Sequence, residues 1–137
     1  LKLAEAWEFV SSLEDGLDSR VEQKGDNFSG GQKQRLSIAR ALVKKASVQI
    51  YDDSFSALDA KTEARLRNNL KKINEDSIVF VVAQRITSVT DATRIIVLNE
   101  GEVVGIGTHD ELKVSNQIYQ EIMNSQSSLE ELEDTNE

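Results

Sequence analysis

Four consecutive small and polar residues carry the pattern that most directly indicates chemistry. They stand just before a long helical pattern and are Ser29, Gly30, Gly31 and Gln32. A serine in this place caps a helix, and a glutamine three positions later completes a capping box. Glycines at the first helical positions leave backbone N–H groups open, and the positive end of the helix favours an anion such as phosphate. Taken alone, the simpler explanation is a capped helix whose glycines only loosen the turn.

A pair of carboxylates is the second chemically informative feature. Residues 48–51 have the pattern of a short strand, and Asp52 and Asp53 follow it directly. In open α/β sheets, ligands bind beyond the carboxyl ends of the strands. One carboxylate in that place can hold Mg²⁺, and a second can orient an attacking water. The alternative is that both acids only cap the next loop.

Helical periodicity places three helices around these residues. The spacing of apolar residues predicts helices over residues 1–13, from Ser29 to about residue 46, and over residues 60–73. Within them, Trp7 and Val43 fall on the stripes that are expected to face a core.

Strand patterns alternate with these helices. Residues 77–83 form an uninterrupted apolar run, which is typical of a strand buried on both faces of a parallel sheet. Residues 95–98 and 102–106 flank a turn and predict a hairpin, and residues 108–111 form a capping box that opens a further helix. The alternation predicts the α/β class with a mostly parallel sheet.

Residues 28–42 together are far more specific than the glycine pair alone. They resemble the signature segment of ATP-binding cassette (ABC) ATPases and the helix that follows it, with Phe28 in place of the usual leucine. The resemblance implies a P-loop NTPase-like (RecA-like), mostly parallel sheet with flanking helices, plus the end of the ABC helical subdomain. It also implies that residues 29–32 contact the γ-phosphate of an ATP held by the opposite subunit.

The carboxylate strand and the loop after it extend the resemblance. Residues 56–59, Ser-Ala-Leu-Asp, resemble the D-loop of the family, which implies a nucleotide contact for Asp59. Asp52 matches the Walker B aspartate, which implies a role in holding Mg²⁺. The cofactors implied by the resemblance are therefore ATP and Mg²⁺.

Two positions depart from the family pattern. Asp53 stands where a catalytic glutamate is usual. Its side chain is one methylene shorter, so the carboxylate lies further from the water that it should orient, and a displacement of about 1 Å can cost about 100-fold in rate. Gln84 stands where the switch loop usually has histidine, and its amide can bond a phosphate but cannot become cationic. Together these changes resemble the degenerate half of a heterodimeric ABC transporter. Its intact signature would serve the ATP of the partner.

A polar loop before the signature indicates the kind of transporter. Residues 18–27, from Asp18 to Asn27, resemble the exporter loop that contacts the transmembrane domains, with Glu22 and Lys24 as contact residues. A plain surface loop explains them equally well. The resemblance implies two partners, the transmembrane domains and a second ABC ATP-binding domain. It also implies a location on the cytoplasmic face of the cell membrane.

The resemblance divides the chain into three parts. Residues 1–30 are expected to end the helical subdomain, residues 31–125 to form the C-terminal part of the ATP-binding core, and residues 126–137 to form an acidic, disordered tail. Two other functions stay open, a soluble ABC ATPase of DNA repair or translation and a non-catalytic interaction fragment. The net charge of −8 opposes binding to nucleic acid, and the exporter-like loop favours the transporter.

The phosphate-binding (Walker A) loop of the family, G-x-x-x-x-G-K-[ST], does not occur in the sequence, and the only methionine is Met123. We therefore expect the chain to be a piece of a longer protein that by itself binds ATP weakly or not at all. Strands next to residues 48–51 are expected to be missing, which predicts an exposed sheet edge and self-association.

Overall fold

The computed structural model describes residues 1–74 and 76–134, which fall into two compact units, Leu1–Val82 and Ala83–Glu137. Helices and strands alternate, as predicted for the α/β class. The α-helices of the described residues are α1 (Trp7–Ser11), α2 (Gly30–Val43), α3 (Ala60–Ile73), α4 (His109–Ser115) and α5 (Gln117–Asp134). The strands are β1 (Val48–Asp52), β2 (Ile78–Val82), β3 (Ile95–Asn99) and β4 (Glu102–Gly107). Short 3₁₀ helices lie at Lys2–Ala4, Gly16–Asp18, Gln23–Gly25 and Ile86–Ser88.

A parallel pair of strands organises the first unit. β1 and β2 pair in register from Val48 opposite Ile78 to Asp52 opposite Val82. One face of this pair packs against α2 and α3. The buried side chains of that core are Ala4, Ala6, Ile38, Tyr51, Phe55, Leu58, Leu66 and Leu70.

Local sequence accounts for the two long helices of this unit. Ser29 caps α2 and Asp59 caps α3, each by accepting a hydrogen bond from the backbone N–H three residues on. In α3, Leu66 and Leu70 lie one turn apart and both point into the core. The helix ends at Ile73, as predicted, and Asn74 is its C-cap.

The other face of the parallel pair is exposed. It is formed by alternate apolar side chains of both strands, namely Val48, Ile50, Ile78, Phe80 and Val82. The prediction that residues 77–83 are buried on both faces is therefore wrong for this chain. Burial on both faces requires a second covering layer, and within the described residues β2 pairs only with β1.

Two apolar residues that were expected in the core lie outside it. Trp7 is 42% exposed, with the Lys2 ammonium 5.9 Å from its ring centroid. The predicted helix over residues 1–13 is broken at Glu5, whose φ is +54°, so the stripe does not continue through Trp7. Val43 is the last residue of α2 and is 82% exposed. Helical spacing alone did not distinguish these positions from core positions.

The second unit is built on the predicted antiparallel hairpin of β3 and β4, with a register shift between Val97 and Leu98. Thr108 and Glu111 form the predicted capping box at the start of α4. The buried side chains of this unit's core are Ile86, Ile95, Val97, Leu112 and Tyr119.

Helix α5 differs from the predicted disordered tail. It continues to Asp134, through the first part of the segment 126–137, and residues 135–137 lie outside the described residues. Leucine and glutamate are good helix formers, which favours continuation of the helix despite the negative charge.

The units divide after Val82, where no boundary was predicted. The predicted boundaries at residues 30 and 125 stay predictions. Of the described helices, none has both the length and the apolar character needed to cross a bilayer.

We predict that Leu66→Ala lowers the free energy of unfolding by about 2–5 kcal/mol, because Leu66 is fully buried and its truncation leaves a cavity. The matched control is Val43→Ala, which also shortens an apolar residue within a helix, but at an exposed position. Its effect should stay within about 0.5 kcal/mol. Urea unfolding of both variants measures the difference. Equal losses would contradict the assignment of the core.

We also predict that the isolated chain associates with itself through β1 and β2. An exposed apolar sheet face and an unpaired strand edge favour pairing with another chain. Light scattering over a range of concentrations should give a mass above that of the monomer. Ile50→Lys places a charge on the exposed face at a residue that is 68% exposed, and it should lower that mass. A strictly monomeric wild type at high concentration would contradict this prediction.

Candidate functional site

The N-terminus of α2 has the predicted capping box. The Ser29 hydroxyl oxygen accepts a hydrogen bond from the Gln32 N–H at 3.3 Å, and the Gln32 side-chain oxygen accepts one from the Ser29 N–H at 2.9 Å. The amides of Gly30 and Gly31 belong to the first turn, where a helix offers no intrahelical acceptor. The Ser29 hydroxyl also keeps its own proton to donate. Three donors of the segment thus remain suited to an anion.

Gly31 is required by a close backbone approach, and Gly30 lies beside it with little room for a side chain. A Cβ atom added to Gly31 would lie 2.8 Å from the carbonyl oxygen of Ala57, and one added to Gly30 would lie 3.3 Å from the Ala57 Cβ. Neither glycine has a positive φ. Glycine is needed at position 31 because the neighbouring segment lies where a side chain would be.

That neighbouring segment is the loop between β1 and α3. Phe55 and Leu58 are buried in the core and anchor it. Ser56, Ala57 and Asp59 lie between and beside these anchors and are exposed. The alternation of buried and exposed residues therefore presents the loop's polar groups beside the N-terminus of α2.

A pocket of about 330 Å³ lies between the start of α2 and this loop. Its lining residues are Ser29, Gly30, Gly31, Arg35, Ala57, Leu58, Asp59 and Thr62. The wall formed by α2 offers hydrogen-bond donors at the positive end of a helix dipole, which suits a phosphate. The opposite wall carries the carboxylate of Asp59, so the pocket is not uniformly positive.

Arg35 adds a cation to the pocket wall, but its guanidinium is largely engaged. It donates to the carbonyl oxygens of Glu5 at 2.6 Å and of Gly31 at 3.3 Å. It also stacks over Phe9, 4.9 Å from the ring centroid. These contacts fix the start of α2 to the N-terminal segment of the chain.

Asp59 acts as the N-cap of α3. Its Oδ1 atom accepts a hydrogen bond from the Thr62 N–H at 2.9 Å. Hydrogen bonds from the backbone and the side chain of Thr62 lower the pKa of the Asp59 carboxyl below its ordinary value. The side chain is therefore ionised at neutral pH and suits a hydrogen-bond donor, not a bare phosphate.

The two carboxylates at the end of β1 have different surroundings. Asp52 is exposed at the strand end. Asp53 follows with a φ of +49°, and its Oδ2 atom accepts a hydrogen bond from the Ser56 hydroxyl at 3.1 Å. The Asp53 N–H continues the strand pairing by donating to the Val82 carbonyl at 3.1 Å. Part of the Asp53 carboxylate is thus already engaged by its own loop.

Gln34 connects α2 to the same loop. Its side-chain nitrogen donates to the Asp53 carbonyl at 3.1 Å and contacts the Ser56 hydroxyl oxygen at 3.0 Å. Its side-chain oxygen accepts the Ala57 N–H at 3.0 Å. Sequence reasoning assigned no role to Gln34, although it lies within the recognised segment.

Gln84 lies in the second unit, two positions after the end of β2, and is exposed. Its backbone carbonyl accepts a hydrogen bond from the Gln126 side chain at 2.7 Å. The side-chain oxygen of Gln126 accepts the Ile86 N–H at 2.8 Å. Helix α5 thus holds the backbone on both sides of Arg85, an arrangement that no sequence pattern indicated.

The loop over residues 18–27 is closed by Asn27. The Asn27 side chain accepts from the Glu22 N–H at 3.1 Å and donates to the Arg20 carbonyl at 2.9 Å. Glu22 and Lys24 are exposed on this loop, and Lys24 has a φ of +58°. Both side chains are therefore exposed to solvent.

The predicted site residues fall into three groups. Ser29, Gly30, Gly31 and Asp59 line one pocket, and Gln32 supports it through the cap. Asp52 and Asp53 lie at the end of β1 in the same unit, and Gln84 lies in the other unit.

Among the described residues, no group of three or more His, Cys, Asp or Glu side chains forms a metal cage. A single carboxylate such as Asp52 still fits Mg²⁺, which proteins commonly bind through one or two carboxylates and the phosphates of the substrate.

Comparisons with known proteins place this geometry in a family. The model of the family described as ABC transporter matches residues 2–56. An uncharacterised ABC transporter ATP-binding protein of Mycobacterium bovis is 44% identical over 127 residues, which is 93% of the chain. A putative export ATP-binding/permease protein of Rickettsia typhi is 39% identical over 129 residues, which is 94% of the chain. The chain spans 22% of the length of each of these two relatives.

A solved structure gives the same result for the fold. A bacterial Atm1-family ABC exporter with ATP bound matches with a TM-score of 0.89 and 32% identity, over 92% of this chain and 22% of that one. This match confirms the predicted P-loop NTPase-like fold. From the signature helix, the carboxylate strand and these similarities together, we conclude that the chain belongs to the ABC transporter family and forms part of its ATP-binding domain.

Proposed function

We propose that this chain forms part of the ATP-hydrolysing domain of an ABC exporter, where its signature completes an ATP site of a second ABC ATP-binding domain. The pocket between α2 and the loop at residues 53–59 carries this proposal. It is lined by Ser29, Gly30 and Gly31 on one side and by Asp59 on the other. The names of the relatives from Mycobacterium and Rickettsia and of the solved exporter support it.

The chemistry of the pocket follows from its donors. The Gly30 and Gly31 amides and the Ser29 hydroxyl would bind the γ-phosphate oxygens of the partner's ATP. Such donors stabilise the charge that develops on a phosphoryl group during transfer. Gln32 would hold Ser29 in place through the capping box, and Asp59 would accept a donor from the partner.

The chain's own ATP-facing side is proposed to be impaired. Asp52 would hold Mg²⁺, which neutralises phosphate charge when it is bound. Asp53 has a shorter side chain than glutamate and one oxygen engaged by Ser56, so it orients a water poorly. Gln84 would contact the γ-phosphate through a neutral amide. The assembly is therefore proposed to be a heterodimer with one strong and one weak site.

The exposed loop over residues 18–27 is proposed to contact the transmembrane domains, through Glu22 and Lys24. Movement of the ATP-binding domains would reach the membrane by this loop, at the cytoplasmic face. The chain's net charge of −8 gives no basis for a nucleic-acid partner.

We predict that Ser29→Asp and Ser29→Ala both lower the ATP turnover of the full-length heterodimer by about 100- to 1,000-fold, the usual cost of losing one such donor. Aspartate preserves the helix cap but offers no proton and repels phosphate, so its loss of turnover cannot be attributed to unfolding. Steady-state phosphate release measures the rates.

The matched control for these variants is Ser37→Ala, which changes an exposed serine of the same helix. It should leave the turnover of the heterodimer within about twofold of the wild type, since it removes no donor from the pocket. Retention of most of the turnover by Ser29→Asp would exclude the proposed role of the signature.

We predict that Asp53→Glu combined with Gln84→His raises the ATP turnover of the full-length heterodimer. The longer carboxylate reaches further toward the attacking water, and histidine restores a titratable nitrogen. Each single variant serves as the control for the pair and should give a smaller gain. An unchanged rate in the double variant would contradict the view that these two residues limit this site.

A further inference from the structure

We infer that Gln34 is a positioning residue that holds the signature segment and the loop of residues 53–57 in one fixed arrangement. This inference rests on the proposed function, because it names a further residue on which the signature pocket depends. Gln34 does not line the pocket and is assigned no contact with ATP.

The side-chain amide of Gln34 makes three hydrogen bonds. The nitrogen lies 3.1 Å from the Asp53 carbonyl oxygen and 3.0 Å from the Ser56 hydroxyl oxygen, and the oxygen lies 3.0 Å from the Ala57 nitrogen. Both ends of the amide are therefore used. All of these partners are 19 to 23 positions away in sequence.

These contacts lie where α2 approaches the loop, and this approach sets the distance between the two walls of the pocket. A side chain at position 31 would overlap Ala57, because its Cβ would lie 2.8 Å from the Ala57 carbonyl oxygen. Steric exclusion sets the lower limit of the distance between α2 and the loop, but it does not prevent the two from separating. The hydrogen bond from the Ala57 N–H to the Gln34 side-chain oxygen supplies the attraction that prevents this separation.

The same side chain also reaches the residue on the chain's own ATP-facing side. Through the Asp53 carbonyl, Gln34 joins the end of β1 to the helix that begins at the signature. Ser56 closes the network, since its hydroxyl contacts Gln34 and the Asp53 carboxylate. A shift of Asp53 is therefore expected to move the signature, and the reverse.

The test compares Gln34→Leu, Gln34→Glu and the control Gln120→Leu in the full-length heterodimer. Leucine keeps the approximate volume but makes none of the hydrogen bonds. Glutamate keeps the acceptor for the Ala57 N–H but loses the donor to Asp53. Gln120 is a matched control because its amide also bridges backbone groups, the carbonyls of Lys113 and Val114, in the second unit.

Two measurements are made on each variant. Hydrogen–deuterium exchange of the peptide that contains the Ala57 amide reports the contact itself, and steady-state ATP turnover reports its consequence. For Gln34→Leu we expect faster exchange of that peptide and about a 10- to 100-fold lower kcat with little change of KM, since a displacement of about 1 Å costs rate more than binding. Gln34→Glu should recover part of both values, and Gln120→Leu should match the wild type.

Unchanged exchange in Gln34→Leu would show that the hydrogen bonds are not formed and would overturn the inference. Faster exchange with unchanged kcat would also overturn it, because the contact would then have no role in positioning. Ser29→Asp separates this inference from the proposed function. Loss of turnover in Ser29→Asp with no loss in Gln34→Leu removes only the role of Gln34, whereas full turnover in Ser29→Asp removes the proposed function itself.

Discussion

The start of α2 approaches the backbone of Ala57 so closely that a side chain at Gly31 would overlap its carbonyl oxygen. Most of the site depends on this contact. It places the free amides of a helix N-terminus beside a loop that is anchored by Phe55 and Leu58, and it makes one pocket out of residues from two segments. Glycine at position 31 permits the short distance between α2 and the loop, and the hydrogen bond from the Ala57 N–H to Gln34 holds the two segments together.

Charge and hydrogen bonding in the pocket follow from the same arrangement. The helix end supplies donors at fixed positions, so an anion entering the pocket needs no reorganisation of the protein. Three charged groups near the pocket already have partners within the protein: Asp59 caps α3, Arg35 bonds the N-terminal segment, and Asp53 accepts a hydrogen bond from Ser56. The pocket is therefore specific for what the free donors can bind.

The exposed face of β1 and β2 contrasts with this well-packed side. The same two strands end at Asp52 and Asp53, and they bury Tyr51 against α2 and α3 while they leave Ile50 and Phe80 in solvent. An apolar run such as residues 77–83 reports that a strand suits burial on both faces. It cannot report which partner layer a given length of chain provides, so burial was the feature of the fold that the pattern overestimated.

The sequence by itself determined the elements and the chemical type of the site. The caps at Ser29, Asp59 and Thr108 depend on side chains within three residues of their partners, and the signature segment is continuous in sequence. Such local terms can be read from residue order. The tertiary structure alone decided that Gly31 meets Ala57 and that Gln34 bonds the loop at residues 53–57. These contacts join residues about 20 or more positions apart, and only the packing of α2 against the end of β1 brings them within hydrogen-bonding distance.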